Sequence, residues 1–149
     1  FAFSQGGYYN GGQKCWIKRV ISIKSGSVAT TSPMTEGARE KQIGAVCSGV
    51  NLHFKYPEHI KHLVFDLNDC HTQDARHTFQ PAYDFIEKSR KETNVLVHCA
   101  AGISRCSVLL ISYMMQKYHM SFKDCHEKIK AARPCSQPNT GFTKQLYEL

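Results

Sequence analysis

Apolar and polar positions change period several times along this chain, and each change marks an element. At 16–23 apolar and polar residues alternate, from Trp16-Ile17-Lys18 to Ser22-Ile23, which predicts a strand that Gly26 ends. Thr31-Ser32-Pro33 sets a hydroxyl cap ahead of a first-turn proline and predicts a helix to about residue 42, with Glu36 near the favourable end of its dipole. A strand over 43–50 follows. His53, Lys55 and Pro57 then interrupt a loop over 51–58. Leu63, Val64 and Phe65 form a short buried run in a strand at 62–67, and Asn68-Asp69-Cys70-His71 is the loop after it. Between Asp74 and about residue 91, Phe79, Ala82, Phe85 and Ile86 recur on one helical face. An interior proline costs about 3 kcal/mol, so with Pro81 this helix either starts near Thr78 or bends.

The stretch the rest serves comes next. Val95-Leu96-Val97 runs into His98-Cys99-Ala100-Ala101-Gly102-Ile103-Ser104-Arg105, and an apolar run from Val108 to Met115 follows. This reads as buried strand, tight loop and helix N-terminus. The helix over 105–118 is almost wholly apolar and belongs in the middle of the domain. Ser121 caps the next helix, with Asp124 as a weak capping-box partner and Phe122, Cys125, Ile129 and Ala132 as its inner stripe. Arg133-Pro134 ends it, with Arg133 read as a solvated helix end in preference to a contact for a second phosphate. A last helix begins at Pro138-Asn139-Thr140-Gly141-Phe142 and runs through Gln145-Leu146. No internal repeat is visible. Strands alternating with helices give an α/β fold: a single domain with a central, mostly parallel sheet flanked by helices, and the loop between a central strand and its helix at the sheet's ligand-binding end.

The 99–105 loop has the chemistry of an anion cradle. Its backbone N–H groups converge where the helix dipole also favours negative charge, and Cys99 sits at the lip. A free thiol has a pKa of about 8.5, and converging dipoles with a guanidinium lower it into the range of roughly 3.5–7.5. Five residues separate Cys99 from Arg105, so the loop can curl until both face one anion. Arg105 supplies a planar fork for phosphate oxygens, and Gly102 the backbone freedom of a tight turn. A phosphoryl group held there faces the sulfur, and its transfer needs positioning and charge neutralisation. The leaving oxygen then needs a proton, and the upstream candidates are Asp66, Asp69 and Asp74. Asp66 falls in the strand pattern, and Asp74 is placed to cap the following helix.

Composition narrows the setting. At 149 residues with 42% hydrophobic content the chain is one ordinary globular domain, residues 15–149, behind a Gly-, Tyr- and Gln-rich flexible arm at 1–14. No apolar run spans a bilayer, and there is no signal-peptide pattern. Seven cysteines, an odd count with none at metal-ligand spacing, suit free thiols in the cytoplasm, with the nucleus also open. The eight histidines show no metal-binding spacing, so neither metal nor other cofactor is expected. A net charge of +7 suits an anionic substrate and equally a nucleic acid, but no aromatic-basic pattern supports the latter.

The octapeptide from His98 to Arg105 resembles the phosphate-binding loop of cysteine-dependent protein tyrosine phosphatases, specifically the dual-specificity group. The resemblance runs from about residue 60 to the C-terminus and more loosely back to Trp16. Pro138-Asn139-x-Gly141-Phe142-x-x-Gln145-Leu146 is similar to the family's C-terminal end. It implies a phosphoprotein substrate, with Cys99 as nucleophile. Arg105 and the backbone of Ala100, Ala101, Gly102, Ile103 and Ser104 would then hold the phosphoryl oxygens, and His98 would orient the loop. It also implies Asp69 as general acid, since the segment from Asn68 to Gln80 aligns with the family's acid loop without gaps. The family usually has Ser or Thr after the Arg, donating to the cysteine sulfur; here Cys106, a weaker donor, stands there. Two other classes stay open: a phosphoprotein-binding module with slow or no turnover, and an RNA 5′-phosphatase. The loop carries Ala100, Ala101 and Ile103 where lipid-phosphate members tend to have Lys, which disfavours phosphoinositides. Oligomeric state is left open.

Overall fold

The computed structural model describes residues 20–24, 27–31, 43–48, 61–92 and 94–149. These form β1 (Val20–Lys24), β2 (Ser27–Thr31), β3 (Ile43–Ser48), β4 (Lys61–Phe65), α1 (Arg76–Glu92), β5 (Asn94–Cys99), α2 (Arg105–Tyr118), α3 (Phe122–Ala132) and α4 (Thr140–Tyr147). The arm at 1–14, the start of the first predicted strand, most of the helix over 31–42 and the loop over 51–58 lie outside the described residues.

The sheet is parallel, as the sequence implies, but among the described residues its middle strand is β3 and not β5, the strand that leads into the cradle. β3 lies between β4 and β5 and runs parallel to both, with Val46 opposite Leu63 on one side and Val97 on the other. Ser48 pairs with Cys99, so β3 and β5 end together where the cradle begins. β2 was not foreseen. It pairs antiparallel with β1, Lys24 opposite Ser27, and takes up Thr31, the first residue of the expected helix start.

The apolar run after the cradle becomes α2, in which every residue from Cys106 to Met114 is buried. It packs against α1, α3, α4 and β5 at once. Leu109, Leu110 and Ile111, each essentially without exposure, contribute about 1.5–3 kcal/mol apiece by burial. The helix that opens at the cradle's floor is therefore packed on several sides at once. α1 begins at Arg76, ahead of Thr78, and carries Pro81 inside it. Its entry is tied down on several sides. Asp74 Oδ1 accepts from the Arg76 N–H, Gln145 Oε1 from the Ala75 N–H, and the Thr78 hydroxyl donates to the Ala75 carbonyl. Asp74 thus has the capping role expected of it, and that bond holds its carboxyl below the ordinary value. The Ser121–Asp124 box closes the start of α3 as predicted, with the Asp124 N–H donating to Ser121 Oγ at 3.1 Å. Among the described residues no helix is long and apolar enough to cross a membrane.

Candidate active site

The loop from Cys99 to Arg105 folds because its polar groups are divided between two sides. On the outer side its carbonyls are taken by the segment between α3 and α4. Arg133 Nε donates to the Gly102 carbonyl at 2.7 Å, and the Gln137 N–H to the Ile103 carbonyl at 2.9 Å. The Ser107 hydroxyl also donates to the Ile103 carbonyl. With the carbonyls held outward, N–H groups are left facing in. Gly102, at φ 66°, takes the left-handed conformation that Gly alone adopts freely, and turns its N–H onto Cys99 Sγ at 3.3 Å. Ser104, the N-cap residue of α2, makes no capping bond with its side chain, so the positive end of α2 stays open to the cradle.

Cys99 is buried, and its thiol is drawn down from about 9 to about 6. The largest cause is the Cys106 thiol, which donates to the Cys99 sulfur; burial opposes the shift, and the N–H groups of Cys106, Gly102 and Ile103 reinforce it. Cys106 itself is fully buried and held well above its ordinary value by the same contact. It is the neutral donor of the pair and Cys99 the anion. The position after Arg105, singled out in the sequence as a departure, therefore keeps a donor, though a weak one.

Arg105 turns across the mouth. Its Nη1 donates to the Leu67 carbonyl at 3.3 Å, and its Nε lies 3.8 Å from Asp69 Oδ2. That Nε is buried and has no hydrogen-bond partner among the described residues. A buried charged donor left unmade beside inward N–H groups is what a bound oxyanion would satisfy. Asp69 comes to the same place. Its Oδ1 accepts from the Ser104 hydroxyl at 2.7 Å and from Asn139 Nδ2 at 2.9 Å, leaving Oδ2 toward Arg105. Asp66 lies just past β4 and Asp74 is bound at the start of α1, so of the three candidates Asp69 meets the loop. His98 is half-buried at the end of β5. Ala101 and Ile103 are exposed at the rim, and Gly102 and Ser104 are buried.

Two groups of residues carry more than the sequence reading gave them. Arg133 is buried, not a solvated helix end, because the Gly102 carbonyl needs a donor there. The Pro138–Leu146 pattern holds the loop that carries Asp69. Asn139 caps α4 through the Phe142 N–H and also reaches Asp69, while Gln145 bonds both the Gln73 carbonyl and the Ala75 N–H. Phe142 and Leu146 anchor the helix in the core. Gly141 is required by contact. A Cβ there would stand 1.9 Å from the His71 carbonyl oxygen, and backbone on both sides must move to admit it. Gly141→Ala is expected to cost about 1–3 kcal/mol by overpacking, read as a lower urea midpoint. An unchanged midpoint would show that α4 yields freely.

Fold and site define an α/β domain with a buried cysteine at the floor of a loop of inward N–H groups, and a carboxylate and a guanidinium at its mouth. Comparison with known proteins is specific. The model of the dual specificity phosphatase catalytic domain matches residues 27–149. A probable dual specificity protein phosphatase of Dictyostelium discoideum is 43% identical over 111 residues, covering 72% of this chain and 28% of that protein. Human dual specificity protein phosphatase 21 is 33% identical over 132 residues, covering 87% of this chain and 68% of its own length. Among solved structures, a human tyrosine phosphatase-like serine/threonine/tyrosine-interacting protein superposes with a TM-score of 0.70 at 28% identity, covering 74% of this chain and 77% of that one. The chain belongs to the dual-specificity phosphatase family. It spans well under half the length of the Dictyostelium relative.

Proposed function

We propose that this chain is a dual-specificity protein phosphatase, with residues 15–149 as its phosphatase domain, hydrolysing phosphotyrosine and phosphoserine or phosphothreonine in protein substrates. The reading rests on one observation: a buried cysteine sulfur receives the Gly102 N–H at 3.3 Å and is ionised near neutral pH. The Cys99 thiolate attacks phosphorus. Arg105 and the N–H groups of 100–105 gather the phosphoryl oxygens, and His98 orients the loop. The phosphorus–oxygen bond to the substrate breaks as Asp69 gives its proton to the leaving oxygen. Water, deprotonated by Asp69, then attacks the cysteinyl-phosphate and expels the thiolate as inorganic phosphate leaves. The proposed steps call for no metal or other cofactor. A thiolate of this kind needs reducing surroundings, which supports a cytoplasmic location. Release of phosphate from a panel of phosphotyrosine and phosphothreonine peptides, inhibited by vanadate, tests the activity. No release from any peptide would overturn it.

Cys106 sets the second half of the cycle. A donor to the departing sulfur speeds its expulsion, and a thiol donates weakly. Pre-steady-state kinetics are expected to show a product burst, and Cys106→Ser to raise steady-state turnover by about 2- to 10-fold, the equivalent of one modestly better hydrogen bond. Equal turnover in both proteins would mean that breakdown of the phosphoenzyme does not depend on this contact.

A further inference from the structure

We propose that Arg133 is a positioning residue of the cradle, acting on Cys99 through the one peptide group that joins Gly102 to Ile103. The inference rests on Cys99 being the nucleophile proposed above. Arg133, 6% exposed and directly after α3, donates its Nε to the Gly102 carbonyl at 2.7 Å. That carbonyl and the Ile103 N–H are the two ends of the same peptide group, and the Ile103 N–H is one of the backbone donors to the Cys99 sulfur. A cationic donor on the carbonyl draws density away from the N–H, and hydrogen bonds linked in this way strengthen one another. The same bond holds Gly102 at φ 66°, which sets its own N–H on the sulfur at 3.3 Å. One guanidinium outside the loop therefore supports two of the donors inside it.

The charge balance points the same way. A buried guanidinium is costly unless it meets an opposite charge. Among the described residues Arg133 has no ion-pair partner, and its Nη2 has no hydrogen-bond partner. Its field reaches Cys106, whose thiol is bonded to the Cys99 sulfur. The groups around that sulfur are the Cys106 thiol on α2, Arg105 and Asp69 across the mouth, half-buried His98 before it on β5, and Arg133 beyond the Gly102 carbonyl. Arg105 already faces Asp69. Among the described residues Arg133 is set on the cradle's backbone and not on a carboxylate, with Cys106 between its charge and the sulfur.

The test is the pH dependence of Cys99 alkylation by iodoacetamide, read at Cys99 by peptide mass spectrometry, with thermal stability measured alongside. Wild type is expected to titrate at about 6. Arg133→Met is expected to raise that midpoint by about one unit, and Arg133→Lys, which keeps the charge without the planar fork, by less. A merely structural residue would lower the melting temperature in both variants and leave both midpoints where wild type has them; that result overturns the proposal. Where Arg133→Met does not fold, Arg133→Lys alone decides, an unmoved midpoint again overturning it. Alkylation needs no turnover. Full phosphatase activity with unmoved midpoints therefore defeats this inference alone, and shifted midpoints in a protein that releases no phosphate defeat only the proposed activity.

Discussion

Cys99→Ser is expected to lower turnover by at least about 10⁴-fold while leaving phosphopeptide binding in place. The substitution changes one atom, and the site treats the two atoms differently. Burial disfavours any anion at this position, and donors from Cys106, Gly102 and Ile103 overcome it for sulfur, bringing the thiol to about 6. A hydroxyl starts many units higher, so the same donors leave it protonated at neutral pH. The outward carbonyl bonds do not involve the sulfur, and a hydroxyl can still accept from the Gly102 N–H, so the cradle and its affinity for a phosphoryl group are expected to remain. In wild type, the thiolate present above about pH 6 is lost as the pH falls through that value, and kcat/KM should fall with it. Single-turnover kinetics and isothermal titration with one phosphotyrosine peptide measure both halves. Residual turnover within 100-fold of wild type would remove Cys99 from the chemistry.

What the sequence made legible divides by the range of the contacts involved. α2 was readable because nine successive buried positions leave their mark in local composition, and the cradle because strand, glycine and helix follow one another within a dozen residues. Asp69 needed the family resemblance. Three carboxylates stand in that segment, and what selects Asp69 is Ser104 and Asn139, 35 and 70 positions away. β2 went unseen because Ser27-Val28-Ala29-Thr30-Thr31 has too few apolar positions to alternate. Arg133 was misread for a related reason. A charged residue next to a proline looks like a helix end in water, and nothing local announces a carbonyl 31 positions upstream that needs its proton. The Pro138–Leu146 pattern was recognised as a family mark, but its work in holding the Asp69 loop shows only in distant contacts: Asn139 on Asp69, Gln145 on Gln73 and Ala75, and Gly141 against His71.

Asp69→Asn separates the acid role proposed for that carboxylate from its bonds to Ser104 and Asn139. Oδ1 is occupied, receiving Ser104 and Asn139, and Oδ2 faces the mouth. In the proposed mechanism the transferable proton belongs on Oδ2. An asparagine can keep its carbonyl oxygen where Oδ1 is and so retain both bonds, putting an amide nitrogen in the place of Oδ2. The amide has no proton to give to a leaving oxygen. Turnover of a phosphoserine or phosphothreonine peptide is expected to fall by about 10²–10⁴-fold, the usual range for a general acid. The loss should shrink steadily as the leaving group becomes a better anion, and nearly vanish for an activated aryl phosphate, because such an oxygen departs unaided. Asp69→Ala should fall further on every substrate, since it also frees Ser104 and Asn139 from the loop. A fall of equal size on all leaving groups in Asp69→Asn would mean that the carboxylate only braces the loop, and the proton would have to come from elsewhere.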